Sequence, residues 1–185
     1  KTARLLGSAH VDLCLPSALA DTQEVLAQAL GREASTCSLS DLVGTDLLLL
    51  CGTRATRDQP ALARLIQAAR SVGTRVVTLN APSDAAWADD ALQVGSPAAF
   101  LGAVMHLLCL TDAVDSPYLE AHVTGWKKAL KTARATGLDQ WLEAAGARRE
   151  HAEWLATLIG RSSSWVTMAG PDPGAMAAIV SLHLS

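Results

Sequence analysis

Residues 47–60, LLLLCGTRATRDQP, place side chains that can do chemistry in a short loop after an apolar segment. The loop GTRATRD (52–58) combines a glycine turn with two arginines and an aspartate. Backbone N–H groups at a glycine turn and guanidinium groups are donors that can bind a diphosphate. The candidate binding residues of this loop are Gly52, Thr53, Arg54, Arg57 and Asp58.

The same spacing also fits an ordinary connection between a strand and a helix, with arginines on its surface. The loop has neither the GxGxxG pattern of dinucleotide-binding turns nor the pattern of a P-loop. The spacing taken alone therefore favours the ordinary connection, and only additional features could favour a phosphate site.

Two further loops carry polar groups. In NAPSDAAWADD (80–90), Asn80, Ser83 and Asp84 could contact a ribose or a base. Ser83 or Asp84 could instead cap the start of a helix, which is the commoner role of such residues and the favoured one here. In GPDPG (170–174), two prolines remove backbone donors, so a tight turn is favoured over a phosphate cradle.

The elements that position these loops follow from apolar periodicity and from turn residues. They are a strand at 2–9, a helix at 16–31, a helical turn at 40–43, a strand at 47–51, a helix from Pro60 to Gly73, and strands at 74–80 and 91–95. This alternation predicts an α/β, Rossmann-like fold, with a mostly parallel sheet and flanking helices. Loops at the carboxyl ends of such strands are where ligands bind.

After Gly95 the pattern changes to helices. They are expected at 98–110, 118–134, 138–146 and 149–161, followed by a strand at 164–170 and a last helix. We therefore divide the chain into a Rossmann-like domain, 1–95, and a helix-rich segment, 96–185. The final strand and helix are interpreted as the start of a second, incomplete α/β unit.

Composition excludes several classes. The chain has 185 residues, half of them apolar, and a net charge of −3, which argues against nucleic acid as a partner. No apolar run reaches the ~20 residues of a membrane span. The four cysteines lack metal-site spacing and predict buried, reduced thiols in a cytoplasmic protein. The histidines are scattered, so no metal site is expected, and the start at Lys1 indicates a cut or processed piece.

Collinear motifs over most of the chain resemble the molybdopterin oxidoreductase family, which includes formate dehydrogenases and the large iron–sulphur subunit of respiratory complex I. The motifs are LLGSAH (5–10), the block TCSLSDLVGTDLLLLCGTRATRDQPALARLIQAARSVGTRVVTLN (36–80), DDALQVGSPAAFLGAVMHLL (89–108), YLEAHVTGW (118–126) and WLATLIGRSSSWVTMAG (154–170). Each motif is loose, and their order carries the resemblance. TCSLSDL also resembles a stretch in the fold-bearing subunit of the formylmethanofuran dehydrogenase group.

The resemblance implies loops that hold a pterin guanine dinucleotide in cofactor-bearing members, and this chain departs from the family at each of them. Gly52 and Thr53 match the phosphate loop, but Arg54 stands where the family has Asn. Asn80-Ala81-Pro82 replaces Asp-Pro-Arg. The guanine-binding Pro-Gly-Thr-Asp corresponds to the segment around Gly95, which has no carboxylate. These departures predict a degenerate cofactor site with Gly95 as its third contact.

The resemblance implies a non-catalytic scaffold within a multi-subunit electron-transfer oxidoreductase, with other protein subunits as partners and no cofactor of its own. The chain would be cytoplasmic, or peripheral to a membrane complex without spanning it. One alternative is a fragment of an active molybdenum or tungsten enzyme that binds molybdopterin guanine dinucleotide through Arg54 and Arg57. Another alternative is the middle domain of a thiamine-diphosphate enzyme, which the helical stretch 118–161 fits poorly.

Overall fold

The computed structural model of the protein describes residues 17–111 and 114–184. Its sheet has four strands, all parallel, in the order β3-β2-β1-β4. The strands are β1 (Leu47–Cys51), β2 (Arg75–Leu79), β3 (Asp90–Leu92) and β4 (Trp165–Ala169). The expected α/β class with a parallel sheet is confirmed, while the strand expected at 2–9 lies outside the described residues.

Helices cover most of the remaining chain. They are α1 (Ser17–Leu30), α2 (Ala55–Asp58), α3 (Pro60–Ser71), α4 (Pro97–Leu110), α5 (Ser116–His122), α6 (Trp126–Ala135), α7 (Leu138–Ala145), α8 (Arg149–Arg161) and α9 (Pro173–His183), with 3-10 turns at Leu39–Leu42 and Ala85–Trp87. The stretch expected as helical at 118–134 is interrupted at Gly125, whose φ of +80° favours glycine. The short helix α2 was not expected from the sequence, because its four residues are too few to show helical periodicity.

Strand β1 is the centre of the fold because it pairs with β2 on one side and β4 on the other. All five of its residues are buried, as expected for a parallel strand covered on both faces. Leu47, Leu49 and Cys51 point to one face, and Leu48 and Leu50 point to the other. The uniformly apolar sequence LLLLC follows directly from this double burial.

The two faces of the sheet are covered by different helices. Helix α3 packs on the face of Leu48 and Leu50 through Leu62 and Ile66. Helices α4, α7, α8 and α9 form the core of the opposite face. The connection from β1 to β2 runs in one direction and the connection from β3 to β4 runs in the other. Right-handed crossovers in opposite directions require helices on opposite faces, in agreement with this arrangement.

The last strand joins the same sheet as the first three. Trp165–Ala169 pairs in parallel with Leu47–Cys51, and the amides of Asp46 and Leu47 donate to the carbonyl of Ser164. The strand assigned from sequence to a second unit is thus hydrogen-bonded to β1, and α9 after it packs against α1 and α4. The division of the chain at residues 95 and 96 stays a prediction.

The cysteines agree with the expectation only in part. Cys51 and Cys109 are buried, but Cys37 is exposed, so the expectation of buried thiols is wrong there. Cys37 lies in the irregular segment before the 3-10 turn at Leu39–Leu42, where no helix or strand of residues 17–111 and 114–184 covers it. Cys14 lies outside the described residues.

Two further expectations concern absent features. Within 17–111 and 114–184, no three His, Cys, Asp or Glu side chains are grouped as a metal ion would require. None of the helices in these two ranges has the length and apolarity needed to cross a bilayer.

Candidate functional site

Among the strands of residues 17–111 and 114–184, the strand order reverses at β1. From β1 the chain moves to β2 and β3 on one side, and it returns later to β4 on the other side. In open α/β sheets the crevice outside the carboxyl ends of the strands at such a point is the usual ligand site. Here the crevice is formed by the loop after β1, which begins at Gly52, and the loop after β4, which begins at Gly170.

The two loops touch through their backbones. The amide of Gly170 donates to the carbonyl of Cys51 at 2.8 Å. A Cβ atom placed on Gly170 would lie 2.0 Å from the carbonyl oxygen of Gly52. Gly52 itself adopts a φ of +61°. Only a residue without a side chain at position 170 allows the two loops to approach this closely.

The donors of the β1 loop converge on one carboxylate, that of Asp84 in the loop after β2. Oδ2 accepts from the Thr53 hydroxyl at 2.6 Å and from the Ala55 amide at 3.0 Å. Oδ1 accepts from the amide and the hydroxyl of Thr56 at 2.9 and 2.6 Å. Four donors from the four-residue segment 53–56 thus surround a single carboxylate, with only Arg54 making no bond to it.

Asp84 has no exposed surface, yet its carboxylate is stabilised in the charged form. Burial by itself raises the pKa of a carboxyl group. The hydrogen bonds from Thr53, Thr56 and Ala55 more than compensate, so the pKa of Asp84 lies below its ordinary value. The negative charge is therefore balanced by hydroxyl and amide dipoles and by no cation that the structure places in contact with it.

Asp84 does not act as the helix cap favoured from sequence. It occupies the position before the 3-10 turn Ala85–Trp87, but its side chain makes no bond to that turn. Ser83 contributes its carbonyl oxygen, which accepts from the Thr56 hydroxyl at 3.4 Å. The polar groups of this loop are therefore directed at the β1 loop.

The charged side chains of the β1 loop point to solvent. Arg54 and Asp58 form an exposed ion pair, with Nε and Oδ2 at 3.4 Å. Arg57 is also exposed and has no ion-pair partner among residues 17–111 and 114–184. These arginines lie at the rim of the loop, away from its buried donors.

The loop after β2 is held by an amide pair. Asn80 has a φ of +49°, which Asn tolerates better than most residues. Its side chain donates to the carbonyl of Val94 and accepts from the amide of Val94, both at 2.8 Å. Both polar groups of Asn80 thus continue the β2–β3 ladder, which fixes the orientation of its side chain.

The third predicted contact, Gly95, is bonded to the end of α7. Its amide donates to the carbonyl of Ala145 at 2.7 Å, and the amide of Ser96 donates to the same oxygen at 3.2 Å. The Ser96 hydroxyl accepts from the amide of Ala99 and so caps α4. The backbone donors that follow β3 are therefore also satisfied within the chain.

Most of the predicted residues lie near the carboxyl edge of the sheet, as expected. Gly52, Thr53 and Ser83 are brought together, the side chains of Arg54, Arg57 and Asp58 surround them at the surface, and Asn80 and Gly95 lie in the loops that follow β2 and β3. Sequence reasoning missed the roles of Asp84, Thr56 and Gly170. Two threonines three residues apart, opposite an aspartate on the neighbouring loop, were the available signal.

Comparison with known proteins identifies relatives. No family model matches the chain. The alpha subunit of F420-dependent formate dehydrogenase 1 from Methanococcus maripaludis is 30% identical over 131 residues, which are 69% of this chain and 19% of that protein. The alpha subunit of F420-dependent formate dehydrogenase 2 from the same organism is 23% identical over 164 residues, or 86% of this chain and 24% of that protein. The chain thus spans about a fifth of the length of these relatives.

A solved structure has the same fold. Acetylene hydratase from Pelobacter acetylenicus superposes with a TM-score of 0.69 over 90% of this chain and 23% of its own, at 17% identity. At that identity the similarity shows the fold alone. Taken with the two sequence relatives, it confirms the resemblance to the molybdopterin oxidoreductase family, and the chain is a homologue of F420-dependent formate dehydrogenase alpha subunits.

Proposed function

We propose that this chain is a non-catalytic scaffold part of a multi-subunit electron-transfer oxidoreductase, in which the molybdopterin oxidoreductase fold has lost its cofactor. The large iron–sulphur subunit of complex I and the fold-bearing subunit of the formylmethanofuran dehydrogenase group are the types that it resembles in this respect. The observation that carries the proposal is the occupation of the β1 loop by the carboxylate of Asp84.

A phosphate would compete with Asp84 for the same donors. The amides of Ala55 and Thr56 and the hydroxyls of Thr53 and Thr56 are buried or part-buried donors of this loop, and Asp84 accepts from all four. A phosphate beside them would also bring a second negative charge close to a buried carboxylate, which is strongly unfavourable at low dielectric. As arranged, these residues do not fit an anionic dinucleotide.

The other two loops support the same conclusion. Asn80 is paired with Val94, and the amides of Gly95 and Ser96 are bonded to Ala145. A nucleotide that used these groups would have to compete with these bonds, in which Asn80 and Ser96 are part-buried and Gly95 is exposed. Three loops that satisfy their own donors are what a scaffold without cofactor requires.

The test is native mass spectrometry of the purified assembly, with molybdenum and tungsten analysis of the same sample. We expect the mass of protein alone and no metal. An added mass of a pterin guanine dinucleotide, with metal, would contradict the proposal. Partner subunits should appear in the same spectra as larger assemblies, since a scaffold acts through the subunits that it holds.

One observation favours the alternative of an active molybdenum or tungsten enzyme. Arg57 is exposed and has no ion-pair partner in the described part of the chain, so its guanidinium is available to a diphosphate at the rim of the loop. The two relatives are also named as formate dehydrogenase subunits. This alternative expects Arg57→Ala and Arg54→Ala to lower the pterin and metal content.

Arg161→Ala is the matched control, because Arg161 is an exposed arginine at the end of α8, before β4 and at the opposite edge of the sheet from the loop. If the loop variants and the control all carry the same pterin and metal content as wild type, binding of the dinucleotide through Arg54 and Arg57 is excluded. A cytoplasmic location stays a prediction that fractionation of cells would test.

A further inference from the structure

We infer that Asp84 is the built-in ligand of the β1 loop, a carboxylate that occupies the anion position of residues 53–56 and so assembles the loop without any bound molecule. This deepens the proposed function and rests on it in one respect only, namely that the loop needs no external anion. The geometry of the cluster is independent of that proposal.

The number and placement of the donors indicate a specific site. Each carboxylate oxygen accepts two bonds, one from a backbone amide and one from a threonine hydroxyl. Both hydroxyl distances are 2.6 Å, which is typical of a bond to a charged oxygen. An ionised carboxylate has about four lone-pair positions, and this arrangement uses all of them.

The burial of the carboxylate, with Thr53 buried and Thr56 part-buried beside it, also distinguishes the cluster from a surface contact. Asp84 is 0% exposed and Thr53 is 7% exposed. A buried carboxylate is tolerated only where its charge is compensated. If the carboxylate were removed, four donors would lose their shared acceptor at once, so the order of residues 53–56 depends on Asp84.

The pairing also joins two loops of different origin. The donors follow β1 and the acceptor follows β2, and the amide of Gly52 bonds to the carbonyl of Leu79 at 2.8 Å beside them. Asp84 is therefore a positioning residue for the whole carboxyl edge of β1. The segment that it holds begins directly after Gly52, which lies against Gly170 of the loop after β4.

The inference is tested by amide hydrogen exchange, measured by NMR on wild type, Asp84→Asn and Asp84→Gly. Asp84→Asn keeps the shape of the side chain but places an NH₂ group against the amide and hydroxyl donors of residues 53–56. The Gly variant removes the side chain. We expect the Ala55 and Thr56 amides to lose protection by at least about tenfold in both variants, since bonds to a charged group are lost. Asp58→Asn, in the same loop but exposed, should leave them unchanged.

Chemical rescue by a free carboxylate adds a second measurement. It should respond only if a carboxylate at this position is what orders the loop. Sodium acetate should restore part of the protection in Asp84→Gly, relative to sodium chloride at equal ionic strength, and should have no effect on wild type. Unchanged protection in both Asp84 variants, failure of acetate to restore any protection, or a response of wild type to inorganic phosphate at these amides would each overturn the inference.

The outcomes separate this inference from the proposed function. Pterin dinucleotide on the purified wild-type protein, together with a loss of protection at the Ala55 and Thr56 amides in both Asp84 variants, would remove the scaffold proposal and leave Asp84 as the acceptor of the loop. Unprotected amides in a protein without cofactor would remove the inference and leave the scaffold proposal.

Discussion

At the scale of single residues, two polar side chains at the carboxyl edge of the sheet occupy positions where an anion or a backbone peptide group could otherwise lie. The carboxylate of Asp84 takes the place that an anion would take in the β1 loop, and the amide of Asn80 takes the place of a backbone peptide beside Val94. Both side chains satisfy backbone groups that loops otherwise leave to water or ligand. Substitution of Asp84 or Asn80 should therefore disorder the loop that each side chain holds, although each side chain is small.

The first prediction concerns the pH dependence of stability. The folded-state pKa of Asp84 is depressed, so its contribution is present above the unfolded-state value of about 3.9 and is lost as the pH falls through the folded-state value. We expect Asp84→Asn to lower the free energy of unfolding by about 1–3 kcal/mol at neutral pH. The difference from wild type should shrink below about pH 4.

Urea unfolding of both proteins over a range of pH measures this difference. Asp58→Asn, which removes only an exposed ion pair with Arg54, should cost less than about 1 kcal/mol. A difference between wild type and Asp84→Asn that stays constant into the acid range would show that the charge of Asp84 contributes nothing.

The second prediction concerns thiol reactivity. Burial, and secondarily the negative charge of Asp172, raise the pKa of Cys51 to about 12. Because the thiolate is the reactive form, Cys51 should resist iodoacetamide at mildly alkaline pH in the folded protein. Exposed Cys37 should react readily, and peptide mass spectrometry would compare the two. Rapid labelling of Cys51 without denaturant would mean that the end of β1 opens often.

At the scale of elements, close backbone approach holds the fold together at its centre. Gly170 lets the loop after β4 reach Gly52, and Gly102 of α4 lets the ring of Trp141 of α7 lie against the helix, where a Cβ would be 2.8 Å from it. Asp46, before β1, accepts from the amide and hydroxyl of Ser163 at 2.7 Å. The β1–β4 pair is thus fixed at both ends.

The third prediction tests the contact at the carboxyl end. Gly170→Ala places a Cβ atom 2.0 Å from the carbonyl oxygen of Gly52. Because this oxygen belongs to the backbone, no side-chain rotation can relieve the clash. We expect a loss of more than about 3 kcal/mol in the free energy of unfolding. Gly137→Ala is the matched control, since nothing lies within 4 Å of its Cβ position, and because Gly137 is the N-cap of α7 it should cost no more than about 1 kcal/mol. Thermal unfolding of the two variants measures this difference. Equal stability of the two would contradict the close contact between Gly170 and Gly52.

Local sequence explains most elements and little of the site. The boundaries of β1 follow from five apolar residues, and the start of α3 follows from Pro60. The bonds of Asp84 join residues 28 to 31 positions apart, and such distances depend on the register of β1 against β2. The pairing of β4 with β1 likewise depends on the path of the chain through helices α4 to α8. The lengths of these helices do not indicate which strand of the sheet β4 will pair with.

At the scale of the whole molecule, stability should decrease from the centre of the sheet outward. Strand β1 is buried on both faces and paired on both edges. Helix α6 contributes one fully buried side chain, Leu130, and otherwise presents an exposed basic surface that includes Lys127, Lys128 and Lys131. Regions with few buried apolar contacts open at the lowest free energy.

The fourth prediction is a hierarchy of hydrogen exchange. Amides of β1 should exchange only through global unfolding, and amides of α6 should exchange through local opening at a much lower free energy. Exchange followed by mass spectrometry, with increasing urea, would distinguish the two because only global exchange accelerates strongly with denaturant. Exchange of α6 at the rate of β1 would mean that an additional surface covers this helix.

The pairing of β1 with β4 also has a consequence for synthesis on the ribosome. Asp46 and Ser164, which are bonded at the start of this pair, are 118 residues apart in the chain. At about 5–20 residues per second, about 6–24 s pass between their emergence. During that interval one edge of LLLLC has no strand beside it, and an uncharged apolar edge readily pairs with other chains. The nascent protein should therefore depend on chaperones until β4 has been made.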